Sequence, residues 1–462
     1  MHLNRETLQA LKTIVGADAV LTDANDLVVY SVDGTTHCQG NAEVVVFPTD
    51  VDQISRVMQL SDQNDIPVTV RGAGTSLSGG PVPMAGGIVL CTSRMNRILE
   101  INGEDFTVKA QVGVVLNDLN QVLARQNLFF PPDPQSLLAA TLGGCVSENA
   151  GGPYAVKYGV FRHYLLGMTA VLPSGAVVTL GGNTMKNVTG YDLPQIVCGA
   201  EGTLAVISDV TLRLLPKPQA SRTVLAIFDR VVTAGQAVHQ VRASGVIPAK
   251  IELMDNWVVR RIEENLPLGI PLSAEAILLF ELDGNAESVQ QETEAVIRLC
   301  QAAGASEVRA ARDAAETADF WTARRMGFSA VFSASPTVLA EDVTVPTHRI
   351  ADQIVHTQKL ARDLDLTIAI IGHAGDGNLH PCILTDKADA AHYARAQRAA
   401  DEIFDAALGF GGAISGEHGI GLEKQRFLKK AMSPEAISLL KGIKRAFDPK
   451  GLLNPGKIWE PS

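Results

Sequence analysis

Two glycine-rich stretches late in the chain carry the side chains best suited to chemistry. The first is GHAGDGNLHP, Gly372–Pro381, in which His373 and His380 flank Gly375-Asp376-Gly377. The second is SGEHGIGLEKQ, Ser415–Gln425, in which Glu417 and His418 stand side by side between glycines. Glycines there disfavour a helix, so the two histidines are expected on a strand–turn–strand that brings both imidazoles to one point. Two imidazoles and a carboxylate suit a divalent zinc, iron or manganese ion with open coordination positions. Ordinary hydrogen-bonded histidines fit the same spacing.

Three earlier clusters concern backbone more than side chains. In PVTVRGAGTSLSGG, Pro67–Gly80, a strand runs into glycines, which lets N–H groups approach a phosphate closely; a plain tight turn is the alternative. It is not a dinucleotide fingerprint, because Leu77 stands at the third glycine position, and it lacks the Gly-Lys-Ser/Thr of a P-loop. The second cluster, Pro131–Gly159, holds glycine pairs at 143–144 and 151–152, with Ser147, Asn149 and Ala150 between them. Small residues of this kind suit backbone packed on a flat ligand, or a buried crossing of two elements. The third, Lys186–Pro218, sets Glu201-Gly202-Thr203 as a turn before a strand. Seventeen of the 41 glycines fall within 71–80, 143–152, 372–377 and 409–421.

The elements that must position these residues follow from pattern. Val51–Asn64 reads as a helix with Ile54, Val57, Met58 and Leu60 on one face and Thr49 or Asp50 as cap. Glu43–Phe47, Val68–Val70 and Phe106–Val112 read as strands, and Pro173-Ser174-Gly175 as the turn of a hairpin. Pro216-Lys217-Pro218 marks a domain edge. Beyond it, strand Ala276–Leu282 and helix Ala286–Ala303, with Val289, Val296, Ile297 and Cys300 inward, suggest antiparallel strands with helices on one face.

Composition sets the bounds. With 462 residues, 46% hydrophobic and 19% charged, the chain is globular and long enough for two or three domains. The net charge of −11 and the lack of a basic run exclude nucleic acid and anionic membrane surfaces as natural partners. The six cysteines form no CxxC, which excludes iron–sulfur and zinc-finger sites of ordinary spacing and points to a reducing cytoplasm. No apolar run reaches membrane-spanning length, and Arg5, Glu6 and Lys12 interrupt any secretory leader.

The three early clusters, in this order, resemble the FAD-binding domain of the vanillyl-alcohol oxidase (PCMH-type) superfamily over about residues 40–218. The resemblance implies an α+β fold. A PCMH-type FAD domain of two α+β subdomains (1–218) would be joined to an antiparallel-sheet α+β substrate or cap domain (219–410). A C-terminal segment (411–462) would return to the FAD domain. The pyrophosphate would lie on Arg71, Gly72, Ala73, Gly74, Thr75, Ser76 and Gly79. The isoalloxazine would lie against Pro132, Asp133 and Ser136, against Gly143, Gly144, Ser147, Asn149, Ala150 and Gly151, and against Glu201, Gly202 and Ile207. Tyr158 and Asn454 complete the implied cofactor set. The covalent histidine of some members is absent from Gly74-Thr75-Ser76, so FAD is expected to be non-covalent.

GHAGDGNLHP, SGEHGIG and FDPKGLLNPGKIW together resemble the FAD-linked 2-hydroxyacid dehydrogenases. IELMDN, AEAILLFELDG and FWTARRMGF look closest to the group formed by the GlcD-type subunits of glycolate oxidase and the D-lactate dehydrogenases. This implies a divalent zinc, manganese or iron ion on His373, His380 and Glu417, with Arg324 on the substrate carboxylate. His418 would be the base, or a residue that orients Glu417. Ala340 stands where hydroxyglutarate enzymes carry lysine, and Cys382 where they carry asparagine, which favours a short monocarboxylic substrate.

The expected reaction oxidises a small D-2-hydroxyacid such as glycolate or D-lactate to the 2-oxoacid. Hydride passes from C2 to flavin N5, and electrons go on to an acceptor other than NAD. A second flavin-domain subunit and an iron–sulfur subunit are the implied partners, with peripheral attachment to the inner membrane through them. A stand-alone D-lactate dehydrogenase, a non-catalytic flavoprotein subunit and a metallohydrolase are the alternatives.

Overall fold

The computed structural model describes residues 3–35 and 38–459. The chain forms two compact units: Met1–Ala150, Val160–Lys217 and Glu417–Ser462 make the first, and Gly151–Gly159 with Pro218–Gly416 the second. The sequence pattern places these edges at 218/219 and 410/411 and keeps 151–159 in the first unit. Among the described residues no helix is long and apolar enough to cross a membrane.

In the first unit, strands Val20–Leu21, Val44–Val46, Ile88–Cys91 and Val68–Arg71 form one sheet in that order, the last three parallel. Val44–Val46 and Ile88–Cys91 are buried throughout, as apolar runs in a parallel sheet covered on both faces must be. Helix Val51–Asn64 buries Ile54, Val57, Met58 and Ser61, one stripe at helical spacing, and Asp50 caps it by accepting from the Gln53 N–H. A second, antiparallel sheet runs Ile98–Asn102, Thr107–Gln111, Val206–Arg213, Leu165–Val171, Val177–Gly181. The C-terminal stretch is part of this unit's core. Leu453 is fully buried, and Asn454 accepts from Val70 N–H at 2.8 Å while its amide donates to the Glu201 carbonyl at 2.8 Å.

The second unit is built on one sheet in the order Glu307–Ala310, Ala220–Phe228, Ala276–Gly284, Lys250–Asp255, Thr367–His373, Asn378–Thr385, Thr337–Ala340. Every pairing is antiparallel. The expectation of helices on one face is corrected here. Helices Asn256–Asn265 and Ala314–Ser333 pack on the face carrying Leu225, Ile227, Met254, Leu279 and Ile371. Alternation turns Val224, Ala226 and Phe228 to the opposite face, yet they too are fully buried; helix Ala286–Ala302 covers them. Helix Ala314–Ser333 escapes a sequence reading because its apolar residues run all round it and show no stripe.

Asp255 joins strand to helix. It caps helix Asn256–Asn265 through the Val258 N–H at 3.1 Å and accepts from the Ile370 N–H at 2.9 Å. Burial pushes its pKa up to about 7 against the pull of these bonds. The native state therefore holds this proton more tightly than the unfolded chain. That contribution to stability is complete below about pH 4 and is lost as pH rises through about 7. Asp255→Asn, which cannot titrate, should show a shallower fall in urea midpoint between those pH values than the parent protein; equal slopes would exclude Asp255 as the source.

Candidate active site

Sheet register assembles the second unit's polar cluster. His373 ends strand Thr367–His373 and Asn378 begins the next, so the two histidines do sit on a strand–turn–strand. Their register pairs His373 with Asn378 and Ile371 with His380. Lys250–Asp255 lies on the other side and sets Glu252 directly opposite His373. Cross-strand partners share a face, so Glu252, His373, Asn378 and His380 all project from one side of the sheet. The imidazole centroids are 5.2 Å apart with the rings nearly perpendicular. Gly377 makes the tight turn: its φ is +87°, and a Cβ would fall 2.0 Å from the Val345 carbonyl oxygen.

Arg324 reaches this face from helix Ala314–Ser333. That helix comes in close at Gly327, where a Cβ would lie 2.8 Å from Val258 Cγ1. Arg324 Nε donates to Glu252 Oε2 at 2.7 Å, and His373 Nδ1 bonds Glu252 Oε1 at 2.8 Å. Glu252 is wholly buried, and Arg324, His373 and His380 are each about 4% exposed. Burial raises the Glu252 pKa, but His373 and Arg324 outweigh it and hold the carboxyl below its usual range. Arg324 Nη1 is buried and has no hydrogen-bond partner. Asp342, also fully buried, lies 3.9 Å from His380 Nδ1; it accepts from Asn378 Nδ2, Ser415 Oγ and the Gly416 N–H. Glu417 and His418 are the next two residues along the chain and open the first unit's returning stretch.

The first unit brings the three earlier glycine clusters together. A Cβ on Gly72 would lie 2.3 Å from Thr141 Oγ1, so the first loop abuts the start of helix Leu142–Glu148. Glu201 N–H donates to the Ser147 carbonyl at 2.8 Å, which joins the second cluster to the third. Gly74, Gly79, Asn149, Glu201, Gly202 and Asn454 all have positive φ. Arg71 donates to the carbonyls of Val32 and Val29 and stacks on Tyr30, so its charge braces that segment and the loop backbone is left for a ligand. Ala73 is exposed, and Thr75, Ser76, Asp133 and Ser136 are half-buried, whereas Pro132, Ala150 and Ile207 are buried. Gly151 and Tyr158 lie in the second unit's short segment, where Tyr158 donates to Asp283 at 2.7 Å.

Gly144 is informative because the fold does not need it. Its Cβ would meet only Thr141 Oγ1, at an ordinary 3.6 Å, whereas a Cβ on Gly143 would press on Val112 at 2.8 Å. Thr141 Oγ1 is itself buried without a partner. A glycine with room beside it and an orphaned hydroxyl fit a flat ligand lying close to the backbone.

Comparison with known proteins agrees with both units. Residues 42–181 match the FAD binding domain family, and 217–458 match the family "FAD linked oxidases, C-terminal domain". The chain belongs to the FAD-linked oxidases. It is 39% identical to glycolate oxidase subunit GlcD of Bacillus subtilis, over 93% of this chain and 92% of that one. It is 38% identical to D-lactate dehydrogenase of Anaerostipes hadrus, over 90% and 89%. Among solved structures, p-cresol methylhydroxylase with substrate bound superposes with a TM-score of 0.80 at 18% identity, covering 98% of this chain and 96% of that one. Alkyldihydroxyacetonephosphate synthase gives a TM-score of 0.79 at 20% identity, covering 98% and 86%.

This FAD-linked oxidase is therefore a flavoprotein oxidoreductase of the PCMH-type fold. Glu252 and Asp342 belong to no motif that the sequence shows. A carboxylate inside the apolar strand Lys250–Asp255 is the available sign, since a buried acid needs partners. Gly144→Val should leave the apoprotein's denaturation midpoint no lower than the parent's yet yield colourless protein; parental flavin absorbance at 450 nm (roughly the flavin band) would exclude Gly144 from the cofactor cradle.

Proposed function

We propose that this protein oxidises a small D-2-hydroxyacid to the 2-oxoacid on non-covalently bound FAD. The observation that carries the reading is the buried, unpartnered Nη1 of Arg324 beside two imidazoles on one sheet face. A desolvated guanidinium edge calls for a planar anion, and a carboxylate meets it. The donors nearby suit the hydroxyl on the adjacent carbon.

In this reading Arg324 binds and orients the carboxylate. His373, His380 and Glu417 hold a divalent zinc, manganese or iron ion, which when bound supplies Lewis acidity that lowers the hydroxyl pKa. The donor set fits: the Nδ1 of His373 is taken up by Glu252, leaving Nε2 as the ligand atom. His418 accepts the hydroxyl proton as general base, its ordinary pKa lying near neutrality. Bound FAD supplies the two-electron acceptor for the hydrogen on C2.

Ala340 and Cys382 are cross-strand partners, on the same face as the histidines by alternation. Neither offers a cation for a distal carboxylate, which supports a short monocarboxylic acid. The relatives named glycolate oxidase subunit and D-lactate dehydrogenase support the same class. A relative named as a subunit supports partners that carry electrons away, a second flavin-domain subunit and an iron–sulfur subunit, because the six cysteines here form no cluster motif. The dehydrogenase relative favours a second reading, a stand-alone D-lactate dehydrogenase. A cytoplasmic location, peripheral to the membrane through partners, completes the proposal.

Anaerobic mixing with glycolate or D-lactate should bleach the flavin, and D-2-hydroxyglutarate should do so at least tenfold more slowly; no bleaching by any 2-hydroxyacid would sink the proposal. His418→Asn should keep its FAD but be reduced roughly 10²–10⁴-fold more slowly, and near-parental reduction would remove His418 as base. Dialysis against a chelator should abolish substrate reduction, with zinc or manganese restoring it. An unchanged rate in metal-free protein would count against the ion.

A further inference from the structure

We propose that Glu252 is a positioning residue that couples the ion-holding histidine to the carboxylate-holding arginine, so that anion binding at Arg324 tightens ion binding at His373. The inference rests on the reading above for what those two residues hold; the coupling itself comes from Glu252.

The geometry is specific. One carboxylate sends one oxygen to each partner: Oε1 to His373 Nδ1 at 2.8 Å and Oε2 to Arg324 Nε at 2.7 Å. Both oxygens belong to a single planar group with no exposure to solvent. Neither bond can therefore be re-aimed without disturbing the other, and water cannot stand in for either partner. With Nδ1 facing a carboxylate, the ring proton sits on Nδ1 and the lone pair is left on Nε2. On the other side, Nε is engaged while Nη1 is buried and unpartnered. Glu252 thus grips the guanidinium by one edge and leaves another for a ligand.

The sign of the coupling follows from charge. Arg324 and His373 share one negative charge. An anion arriving at the guanidinium draws positive charge away from Glu252, so the carboxylate accepts more strongly from His373. The imidazole becomes more electron-rich at Nε2 and binds a cation more tightly. Direct chelation by a hydroxyacid would raise affinity for a different reason. The probe should therefore carry a carboxylate and no hydroxyl.

The test uses the FAD-loaded protein and measures zinc affinity by competition with a chelator, with and without saturating acetate. In the parent, acetate should tighten zinc binding several-fold. Glu252→Gln keeps the shape but replaces one acceptor oxygen with a donor. It should bind zinc about 10–100-fold more weakly, raise KM for glycolate, keep its FAD and lose most of the acetate effect. If the parent binds zinc and is reduced by glycolate, yet Glu252→Gln matches it within about twofold in zinc affinity, KM and acetate response, the coupling is overturned and the function proposal stands. If the parent binds no zinc, the ion reading itself fails and this inference falls with it. Should Glu252→Gln not fold, histidine-specific ¹⁵N NMR of the unsubstituted protein decides: a His373 proton on Nδ1 supports the assignment, and one on Nε2 overturns it.

Discussion

A carboxylate cannot sit charged inside an apolar sheet unless its oxygens are fully engaged. Glu252 sits there, opposite His373 in register, with Arg324 reaching down from the helix above. This three-way arrangement constrains what surrounds it. Helix Ala314–Ser333 must come close enough for Arg324 to reach, and the absent side chain at Gly327 allows that approach. The hairpin must keep its register, because a one-residue slip would turn His373 and His380 to the opposite face. Removing either partner would leave a buried charge uncompensated. The polar cluster and the apolar core around Met254, Ile277, Leu279 and Ile371 are therefore one packing problem.

Glycine plays two different parts. At Gly377 the fold requires it: φ is positive and a neighbouring carbonyl occupies the place of a Cβ. At Gly144 the fold leaves room for a side chain, so the reason for glycine lies outside the chain's own packing. The distinction separates backbone that turns a strand from backbone that receives a ligand. It also explains why glycine-rich loops look alike in composition while serving different ends.

The C-terminal stretch shows how a distant segment becomes part of a core. Asn454 bonds the strand Val68–Arg71 through one end of its amide and the Glu201 turn through the other. Ile420 and Gly421 donate to the Glu201 carboxylate, so the same glutamate receives two segments of the tail. Burial raises the pKa of Glu201, and these two N–H bonds, with Lys424 and Lys457 nearby, oppose it. Glu417 and His418 enter the chain just before these anchors.

Elements with one clear period were legible from residues alone. Helix Val51–Asn64 and its Asp50 cap follow from a single apolar stripe and a local hydrogen bond. The histidine hairpin follows from glycines that no helix tolerates. The flavin cradle was legible as three ordered motifs, although their mutual contact was not. Helix Ala314–Ser333 and the covering of both sheet faces were not legible, because burial on all sides erases periodicity. Glu252 and Asp342 were hidden for a related reason. Each looks like any acid in sequence, and only register and packing show which cation, imidazole or amide faces it. Local spacing thus determined which residues could turn, cap or bind. Which of them share a buried face was decided by long-range strand pairing, since contacts between residues more than a hundred positions apart leave no local pattern to read.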